Sequence, residues 1–358
     1  MTKLILETIS PIHIGNGSSY SNAEFLSIGN TIHRMDINKI YNLLNEKERE
    51  KFVDYLEDQQ FKLDDFFRGK SLSIAESKLY SLERKGQTPR GEIREHIKTE
   101  MKGYLPGSSL KGAIKTVVMN AFMDKKKIEK IGEIFDNPDS KTRNKEIQKF
   151  IEDIFSSEGK QSSYSDFMRF VQISDFIPVS RLCVSEVRSL EVDDNINRWY
   201  WYQRGGKIVQ SFLETIEVGE KLEGEIHFTY NYDVHHSLGL KGKADILNIE
   251  EIKYFIFNFS AEIIKHEISF SKKYNIDFLL DFYRKLKKLN SPESPVIKLG
   301  HGAGYLGTTI GLEIKKENHE VFEQVRRSLR GRSYEFEFPK TRRIAVEENV
   351  PMGWCKIL

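Results

Sequence analysis

Alternating apolar and polar residues predict strands in both halves of the chain. Residues 3–14 alternate and then enter a glycine-containing stretch, Ile14-Gly15-Asn16-Gly17. Residues 24–34 predict a pair of short strands around Gly29-Asn30, which makes them a hairpin candidate. Further strands are predicted over residues 167–176, 181–190, 207–216 and 222–230.

Apolar residues at helical spacing predict amphipathic helices between these strands. Asp36 is a candidate N-cap for the first helix, because its side chain can accept from the backbone N–H groups of the first turn. The segments 68–100 and 123–165 are highly charged and are also predicted to be mostly helical. The other predicted helices cover residues 45–67, 113–122, 249–270 and 277–289.

The order of these elements predicts an α+β fold with helices on one face of antiparallel sheets. Two βαββαβ units fit the 358 residues, since the length alone indicates roughly two domains. We place the first unit at residues 1–178, with helical insertions at about 36–100 and 123–165. The second unit, at residues 179–358, contains a glycine-rich loop.

Composition excludes several classes of protein. Hydrophobic residues make up 39% of the chain and charged residues 30%, which is typical of a globular protein. The 2 cysteines, Cys183 and Cys355, cannot form a disulfide scaffold or a four-thiolate zinc site, and they fit a reducing, cytoplasmic setting. No apolar run is long enough for a membrane helix, and the N-terminus does not resemble a signal peptide. With a net charge of +2, any nucleic-acid surface must be a local patch.

The glycine-rich segment 299–311 is the first candidate for chemistry. Its glycines allow backbone N–H groups to approach a phosphate closely. Part of it has phosphate-loop spacing, but Thr308 stands where that motif needs a lysine, so nucleotide hydrolysis is disfavoured. A tight turn that joins two elements is the alternative interpretation.

A second candidate is the segment from Pro106 to Lys115. A Pro-Gly turn leads into a helix that Ser108 or Ser109 could cap, and such a helix start presents N–H groups to an anion. Lys111 and Lys115 are four residues apart and share one helix face. An ordinary capped core helix with two solvated lysines is the alternative.

A basic cluster near the C-terminus is the third candidate. Within residues 326–343, seven basic residues stand against Glu335 and Glu337, which gives a local charge of +5. The alternating stretch 334–338 precedes a basic turn, so aromatic and basic groups are interleaved as in surfaces that stack bases and contact phosphates. A solvated charged face is the alternative. The basic residues are Arg326, Arg327, Arg330, Arg332, Lys340, Arg342 and Arg343.

Catalytic groups are sparse. His13 and His301 lie in or beside the two glycine segments and could act as an acid–base pair if they meet. Asp175 is a weaker catalytic candidate, because an aspartate at a strand end is often an exposed turn residue. The adjacent His235 and His236 cannot share one face for a metal, so we predict neither a metal site nor a cofactor.

Taken in order, these segments resemble the RAMP superfamily of CRISPR proteins. The resemblance is carried by Pro11–Gly17, by Tyr104–Lys115 and by the glycine segment Leu299–Thr309. The closing stretches Phe338–Arg342 and Pro351–Lys356 more narrowly resemble the RAMP subunit that caps the crRNA 3′ end in the type III-A Csm complex. Where members of that family carry a lysine after the glycine loop, this chain has Thr308-Thr309.

The resemblance implies ferredoxin-like or RRM-like units and a non-catalytic, RNA-binding role. It implies that the chain binds the 3′ part of the crRNA, ends the filament of backbone RAMP subunits and assists crRNA 3′-end maturation. Implied partners are the crRNA, the backbone RAMP subunit, the small helical subunit, host nucleases and nearby target RNA. The predicted RNA contacts are His13, Gly15, Asn16, Ser108, Ser109, Lys111, Lys115, Gly300, His301, Gly302, Gly304, Gly307, Lys340, Arg342 and Arg343.

Guide RNA must be held along its backbone whatever its sequence, which calls for N–H groups, lysines and arginines on phosphates. Two other functions stay open at this point. A metal-independent endoribonuclease would use His13 or His301 to cut CRISPR repeat RNA, and a pure protein scaffold would not touch RNA.

Overall fold

Both halves of the chain contribute strands to both of the main sheets. A computed structural model describes residues 2–58, 60–68, 73–156, 166–229, 233, 238–240, 246–330 and 337–358. Its strands are β1 Thr2–Thr8, β2 Gly15–Tyr20, β3 Phe25–Ile28, β4 Thr31–Met35, β5 Lys78–Lys85, β6 Ile93–His96, β7 Lys98–Thr99, β8 Lys102–Gly103, β9 Val171–Ile173, β10 Leu182–Asp193, β11 Arg198–Trp201, β12 Gln203–Arg204, β13 Lys207–Ile208, β14 Gln210–Ile216, β15 Lys221–Phe228, β16 Val296–Lys298, β17 Thr341–Ala345, β18 Val350–Pro351 and β19 Trp354–Ile357.

The helices fall into an N-terminal group, a middle group and a C-terminal group. They are α1 Ile37–Leu43, α2 Glu46–Glu57, α3 Leu63–Phe67, α4 Ile74–Ser77, α5 Gly107–Ala121, α6 Lys125–Asp136, α7 Ser140–Phe155, α8 Ile249–Lys273, α9 Asp277–Leu289, α10 Gly304–Thr308, α11 Gly311–Glu317 and α12 His319–Arg330, with a 3₁₀ turn at Phe167–Phe170. None of these described helices is long and apolar enough to cross a bilayer.

The first sheet has the order β16-β19-β1-β15-β9. Leu4 and Leu6 of β1 alternate with polar neighbours, so they point into the main apolar core. Helices α5, α8 and α9 cover that core, to which Ile114, Ile256 and Phe282 contribute. The 25-residue helix α8 carries acidic residues in its first turn and lysines in its last, which complements its dipole.

The second sheet runs β2-β6-β14-β10-β5-β4-β3, with β11, β17 and β18 attached beside β10. The chain passes from the first sheet to the second through residues 9–14. There Ile12 exchanges two backbone hydrogen bonds with Ile216 of β14, at 3.2 and 2.8 Å. This crossing point lies next to the end of β16 and places the candidate site between the two sheets.

The α+β class is confirmed, and the helices over 249–270 and 277–289 lie where the sequence predicts them. Asp36 caps α1, because its carboxylate accepts from the N–H groups of Asn38 and Lys39. The boundary between residues 178 and 179 stays a prediction, and both sheets combine strands from either side of it.

The prediction that residues 68–100 are mostly helical is wrong. Much of this segment forms β5 and β6, because β5 pairs with β4 on one side and with β10 on the other. Leu82 alternates with more exposed neighbours and is buried in the second sheet. The charged residues that suggested a helix surface are the outward positions of a strand.

The two helical segments form small cores of their own. Helices α1 to α3 pack Phe52, Leu63 and Phe66 against β3 and β4. Helix α6 packs Ile128 and Ile131 against α11 and α12. The helical prediction for 123–165 is confirmed as far as residue 156, and residues 157–165 lie outside the described part of the chain.

Two further predictions about local structure are wrong. Residues 167–170 form a 3₁₀ turn, and only Val171–Ile173 of the predicted strand 167–176 is extended in a sheet. The helices predicted from the sequence also end at residue 289, whereas α10 occupies the second half of the glycine segment and α11 and α12 follow it.

Candidate nucleic-acid interface

A cleft of about 560 Å³ opens where the N-terminal glycine stretch meets the C-terminal one. The two glycine segments meet at this cleft, and Ser109 near the start of α5 joins them. The lining residues are His13, Ile14, Gly15, Gly17, Ser18, Ser19, Arg94, Glu95, Ser109, Gly300 and His301.

A bulge in β2 forms one wall of the cleft. Gly15 pairs with His96 and Ser19 pairs with Arg94, so two extra residues of β2 bulge out between these pairs. Gly17 has φ +90° within the bulge. The side chain of Asn16 accepts a 2.8 Å hydrogen bond from the N–H of Ser18 and closes a local turn. The bulge therefore presents backbone toward the cleft.

The opposite wall of the cleft contains Gly300, which lies so close to the backbone of His13 that only glycine fits there. Gly300 has φ +67°, and a Cβ atom there would lie 2.3 Å from the carbonyl oxygen of His13. The next residue, His301, donates its backbone N–H to that same oxygen at 2.9 Å. This contact ties the C-terminal glycine segment to the N-terminal one.

A buried carboxylate supports the cleft from behind. Glu214 of β14 is fully buried, and its carboxylate accepts from Tyr20, Tyr80, Lys98 and the N–H of His96. Because these donors come from four separate segments, the Glu214 carboxylate holds β2, β5 and β6 in register behind the cleft.

Two histidines, His13 and His301, line the cleft, and the buried ring of His96 lies behind His13. The ring centroid of His13 lies 6.0 Å from that of His96 and 5.9 Å from that of His301. Burial lowers the pKa of His96 to about 3, against the opposing effect of its hydrogen bond to Tyr104. Burial, aided by repulsion from Arg343, lowers the pKa of His301 to about 4. Both rings are therefore neutral at physiological pH.

Arg94 is the cation that lines the cleft, and Arg343 lies beside it. Arg94 lines the cleft from β6, and within the described residues no carboxylate lies at ion-pairing distance from it. Arg343 projects outward from β17 and donates to the hydroxyl of Ser189. Burial and the nearby charge of Arg94 lower the pKa of Arg343. The cleft thus combines one lining cation, Arg94, with the Glu95 carboxylate, glycine backbone and neutral imidazoles, and Arg343 adds a second positive charge beside it.

The prediction that Ser108 or Ser109 caps α5 is wrong. The helix begins at Gly107, and the N–H of Gly107 donates to the carboxylate of Asp175 at 2.9 Å. Gly107 lies so close to the backbone of β9 that a Cβ atom would come within 2.3 Å of a carbonyl oxygen. Asp175, the weaker catalytic candidate, is therefore a capping residue of α5.

Lys111 and Lys115 extend along α5 beyond Ser109. Lys115 forms a 3.0 Å ion pair with Asp166 and lies over the ring of Phe155. Burial lowers the pKa of Lys111, which is half-exposed. Neither lysine lines the cleft itself, so the predicted lysine contacts lie along the helix rather than at its start.

Arg342 lies in the interior and is not part of a positive rim. Its guanidinium donates to both carboxylate oxygens of Glu267 at 2.9 and 2.8 Å, and only 5% of Arg342 is exposed. The alternation of β17 explains this, because Arg342 and Arg343 point to opposite faces. Lys340 is half-buried ahead of β17.

Other parts of the basic cluster also pack inward. Arg326 is 3% exposed and pairs with Glu323 on α12. Phe338 packs against Tyr305 at 4.7 Å between ring centroids, so it offers no face for base stacking. Residues 331–336 and the His235-His236 pair lie outside the described residues. In the part of the chain that the structure describes, no group of side chains is arranged to hold a metal.

The other glycines predicted to contact RNA, Gly302, Gly304 and Gly307, lie in three different environments. Gly302 has φ +97° and packs on Met352 and on the Cβ atom of Arg343, so it brings Arg343 to the glycine segment. Gly304 has φ +63° with open space around it, whereas Gly307 is buried within α10. The N-terminal part of the segment is therefore the part that faces the cleft.

Sequence reasoning missed Arg94 and the Glu214 network. Pro89 and Gly91 interrupt any helix just before Arg94, and this signal favours a strand there. No such signal marks Glu214, because a glutamate in an alternating strand normally faces solvent. Its four donors become neighbours only in the folded chain.

A family model described as the RAMP superfamily matches residues 5–307. A protein from Methanocaldococcus jannaschii named "CRISPR system Cms protein Csm5" is 23% identical over 98% of this chain and 87% of its own length. A protein of the same name from Streptococcus thermophilus is 34% identical over 33% of this chain and 38% of its own.

Two solved structures share the fold along the whole chain. One is a chain of a cryo-EM structure of a Csm–crRNA–target RNA ternary complex of a type III-A CRISPR–Cas system. It superposes with a TM-score of 0.73 at 23% identity and full coverage of both chains. The other is the crystal structure of T. onnurineus Csm5, with a TM-score of 0.67 at 22% identity, covering 98% of this chain and 99% of that one.

Proposed function

Because the chain belongs to the RAMP superfamily, we propose that it is an RNA-binding subunit of a type III-A CRISPR (Csm) ribonucleoprotein. In this proposal it binds the 3′ part of the crRNA, caps the filament of backbone RAMP subunits and assists crRNA 3′-end maturation in the cytoplasm. The end-to-end similarity to a protein named Csm5 supports this role. A fold shared with a chain of a Csm–crRNA–target RNA complex agrees with it.

The observation that carries the proposal is the convergence of two glycine segments and Arg94 on one cleft, with Arg343 beside it. Arg94 and Arg343 supply charge for phosphates, and the bulge at Gly15–Ser19 together with Gly300 supplies closely approachable backbone. Cations and backbone N–H groups of this kind can bind phosphates whatever the base sequence. Such a cleft suits a guide strand whose sequence differs from one complex to another.

The histidine environment favours binding over catalysis. A general acid in RNA cleavage must be protonated near neutral pH. Burial instead lowers the pKa of all three histidines around the cleft, to about 4 in His301 and about 3 in His96. A metal-independent nuclease in this cleft would have no histidine that is protonated near neutral pH, and a nuclease assay with repeat RNA is expected to leave the RNA intact.

The cellular test is to purify the tagged chain from its host and identify the bound RNA and proteins. Repeat-derived guide RNAs together with Csm subunits are expected. Recovery of Csm subunits without RNA contact would favour a pure scaffold, and recovery of host messenger RNA would contradict the proposal.

The biochemical test removes the two cleft cations. The double variant Arg94→Ala/Arg343→Ala is expected to bind single-stranded RNA more weakly. The slope of log K against log salt should become shallower by roughly 0.7 for each lost phosphate contact. Fluorescence anisotropy over a salt series measures both quantities.

The matched control for this experiment is Lys285→Ala/Lys288→Ala, which removes the same charge from exposed positions on α9 outside the cleft. If the control and the cleft variant reduce the affinity and the slope equally, the cleft does not hold the RNA.

A further inference from the structure

His13 lines the cleft, and one of its two ring nitrogens has no hydrogen-bond partner among the described residues. His13 is 4% exposed, and its Nδ1 lies 2.7 Å from the backbone carbonyl oxygen of Glu214. A carbonyl oxygen can only accept, so Nδ1 carries the proton and donates it. No N–H or O–H of the described residues donates to the other nitrogen, Nε2, although His13 lines the cleft.

The His13 ring is neutral, so Nε2 presents a lone pair. Burial lowers the pKa of His13, against the opposing effect of the hydrogen bond to Glu214. The nearby charges of Arg94 and Lys98 lower that pKa further. With the single proton on Nδ1, Nε2 can accept a hydrogen bond but cannot donate one.

The surroundings fix this arrangement in place. The Glu214 carbonyl that orients the ring belongs to the buried residue whose carboxylate binds four donors. The backbone oxygen of His13 accepts from the N–H of His301, so the main chain of His13 is also held. The ring therefore cannot turn its Nδ1–H toward the cleft without breaking a buried hydrogen bond.

Gly15 keeps Nε2 accessible. A Cβ atom at residue 15 would lie 3.0 Å from Nε2, so any larger side chain would crowd this nitrogen. Residue 15 does not have a positive φ, and the glycine is not required there by backbone strain. Its missing side chain is what leaves the lone pair open to a ligand.

A sugar–phosphate strand offers one kind of donor to such an acceptor. Phosphodiester and ring oxygens only accept at neutral pH, whereas the 2′-hydroxyl of ribose donates. We propose that Nε2 of His13 accepts a hydrogen bond from a ribose 2′-hydroxyl and makes the cleft selective for RNA over DNA. This inference rests on the proposed function and adds to it the chemical group by which the cleft distinguishes the two polymers.

The roles of the cleft residues therefore separate. Arg94 and Arg343 contact phosphates, which RNA and DNA share, so they contribute to affinity for both. His13 contacts the sugar and contributes to the ratio of the two affinities. Experiments that vary the sugar while keeping the base constant distinguish these contributions.

The test compares oligouridine with oligo-2′-deoxyuridine on the full-length protein by fluorescence anisotropy at one salt concentration. The wild type is expected to prefer the ribose oligomer by roughly three- to tenfold, the effect of one neutral hydrogen bond. In His13→Asn the amide nitrogen can take the place of Nδ1 on the Glu214 carbonyl, but nothing replaces Nε2. The preference should therefore fall to near unity.

Two further variants test the same contact if His13→Asn folds poorly. Gly15→Ala covers Nε2 while leaving His13 intact, and it should reduce the preference in the same way. His13→Gln places an amide oxygen near the position of Nε2 and should restore part of the preference. In Arg94→Ala/Arg343→Ala both affinities should fall while their ratio stays near the wild-type value.

Each outcome has one consequence. Equal binding of the two oligomers by the wild type, or an unchanged preference in both His13→Asn and Gly15→Ala, overturns the 2′-hydroxyl contact and leaves the proposed function standing. Failure of the wild type to bind either oligomer overturns the proposed function itself.

Discussion

Arg342 and Arg343 are neighbours on β17 with opposite environments. Arg342 donates to Glu267 in the core, whereas Arg343 faces the cleft side near Gly302. Buried ion pairs are costly to break from one side, because the remaining charge loses its partner but stays desolvated. We therefore expect Arg342 to contribute to stability and Arg343 to contribute to binding, although they are neighbours with the same side chain.

Arg342→Met is expected to lower the free energy of unfolding by about 3–5 kcal/mol, because the buried Glu267 carboxylate would lose the guanidinium that donates to both of its oxygens. Arg343→Met is expected to lower it by only about 0.5–1.5 kcal/mol, because this variant loses one hydrogen bond to the Ser189 hydroxyl and leaves no buried charge unpaired. Urea titration followed by circular dichroism measures both changes. Equal destabilisation by the two substitutions would refute the assignment of the two side chains to different faces.

The histidines around the cleft also predict how stability depends on pH. An unfolded histidine has a pKa of about 6.5, whereas His301 stays neutral in the folded protein down to about pH 4. Between these values the unfolded state binds more protons than the folded state. The contribution of neutral His301 to the free energy of unfolding is therefore complete above pH 6.5 and decreases as the pH drops toward 4. His96 extends the same trend toward pH 3.

His301→Gln removes one of these titrating groups. The free energy of unfolding of this variant should fall less steeply than that of the wild type between pH 6.5 and 4, by up to about 1.4 kcal/mol per pH unit. Urea titrations at several pH values measure the slope. A constant offset between the two proteins across this range would show that His301 does not titrate as described.

At the scale of elements, the two glycine segments function as a pair. Gly300 and Gly304 both have positive φ, at +67° and +63°, but only Gly300 faces a close neighbour. Gly300→Ala is expected to lower the free energy of unfolding by about 1–3 kcal/mol through backbone strain. The clash of the new Cβ atom with the His13 carbonyl should lower it further. RNA binding should weaken together with stability.

Gly304→Ala is the matched control, since it has the same strained backbone without a neighbour within 4 Å. It should cost less stability than Gly300→Ala and retain more RNA affinity. If the two substitutions have the same effects in unfolding and anisotropy experiments, the contact between the glycine segments does not support the cleft.

The sequence predicts elements best where one residue pattern decides them. The apolar spacing of α8 and α9 and the capping side chain of Asp36 are local signals, and the structure contains these features as predicted. Strands β5 and β6 lie where the sequence predicts helix, because pairing with distant strands determines their structure. Local charge and propensity do not contain that information.

The candidate site also contains residues that a local sequence pattern predicts and residues that depend on the pairing of distant strands. Glycine-rich segments mark where backbone can approach a ligand, and their sequence positions identified His13, Gly15, Gly300 and His301. The contributions of Arg94 and Glu214 depend on which strands become neighbours. The inward direction of Arg342 depends on the register of a strand that the sequence did not predict.

At the scale of the whole molecule, the candidate cleft lies at the junction between the two sheets. Strand β1 lies between β15 and β19, so the start of the chain is placed by strands from its second half. The residues that line the cleft come from the connection between β1 and β2, from β2, β6 and α5, and from the segment after β16. The fold as a whole therefore assembles the cleft, and no single segment contains it.

The most direct test of the central claim is ultraviolet crosslinking of bound crRNA, followed by mass spectrometry of the crosslinked peptides. The cleft model predicts crosslinks within residues 13–19, 94–96 and 300–303. Crosslinks concentrated on α6, α7 or α9, with none in these three segments, would contradict the claim that the cleft holds the RNA strand.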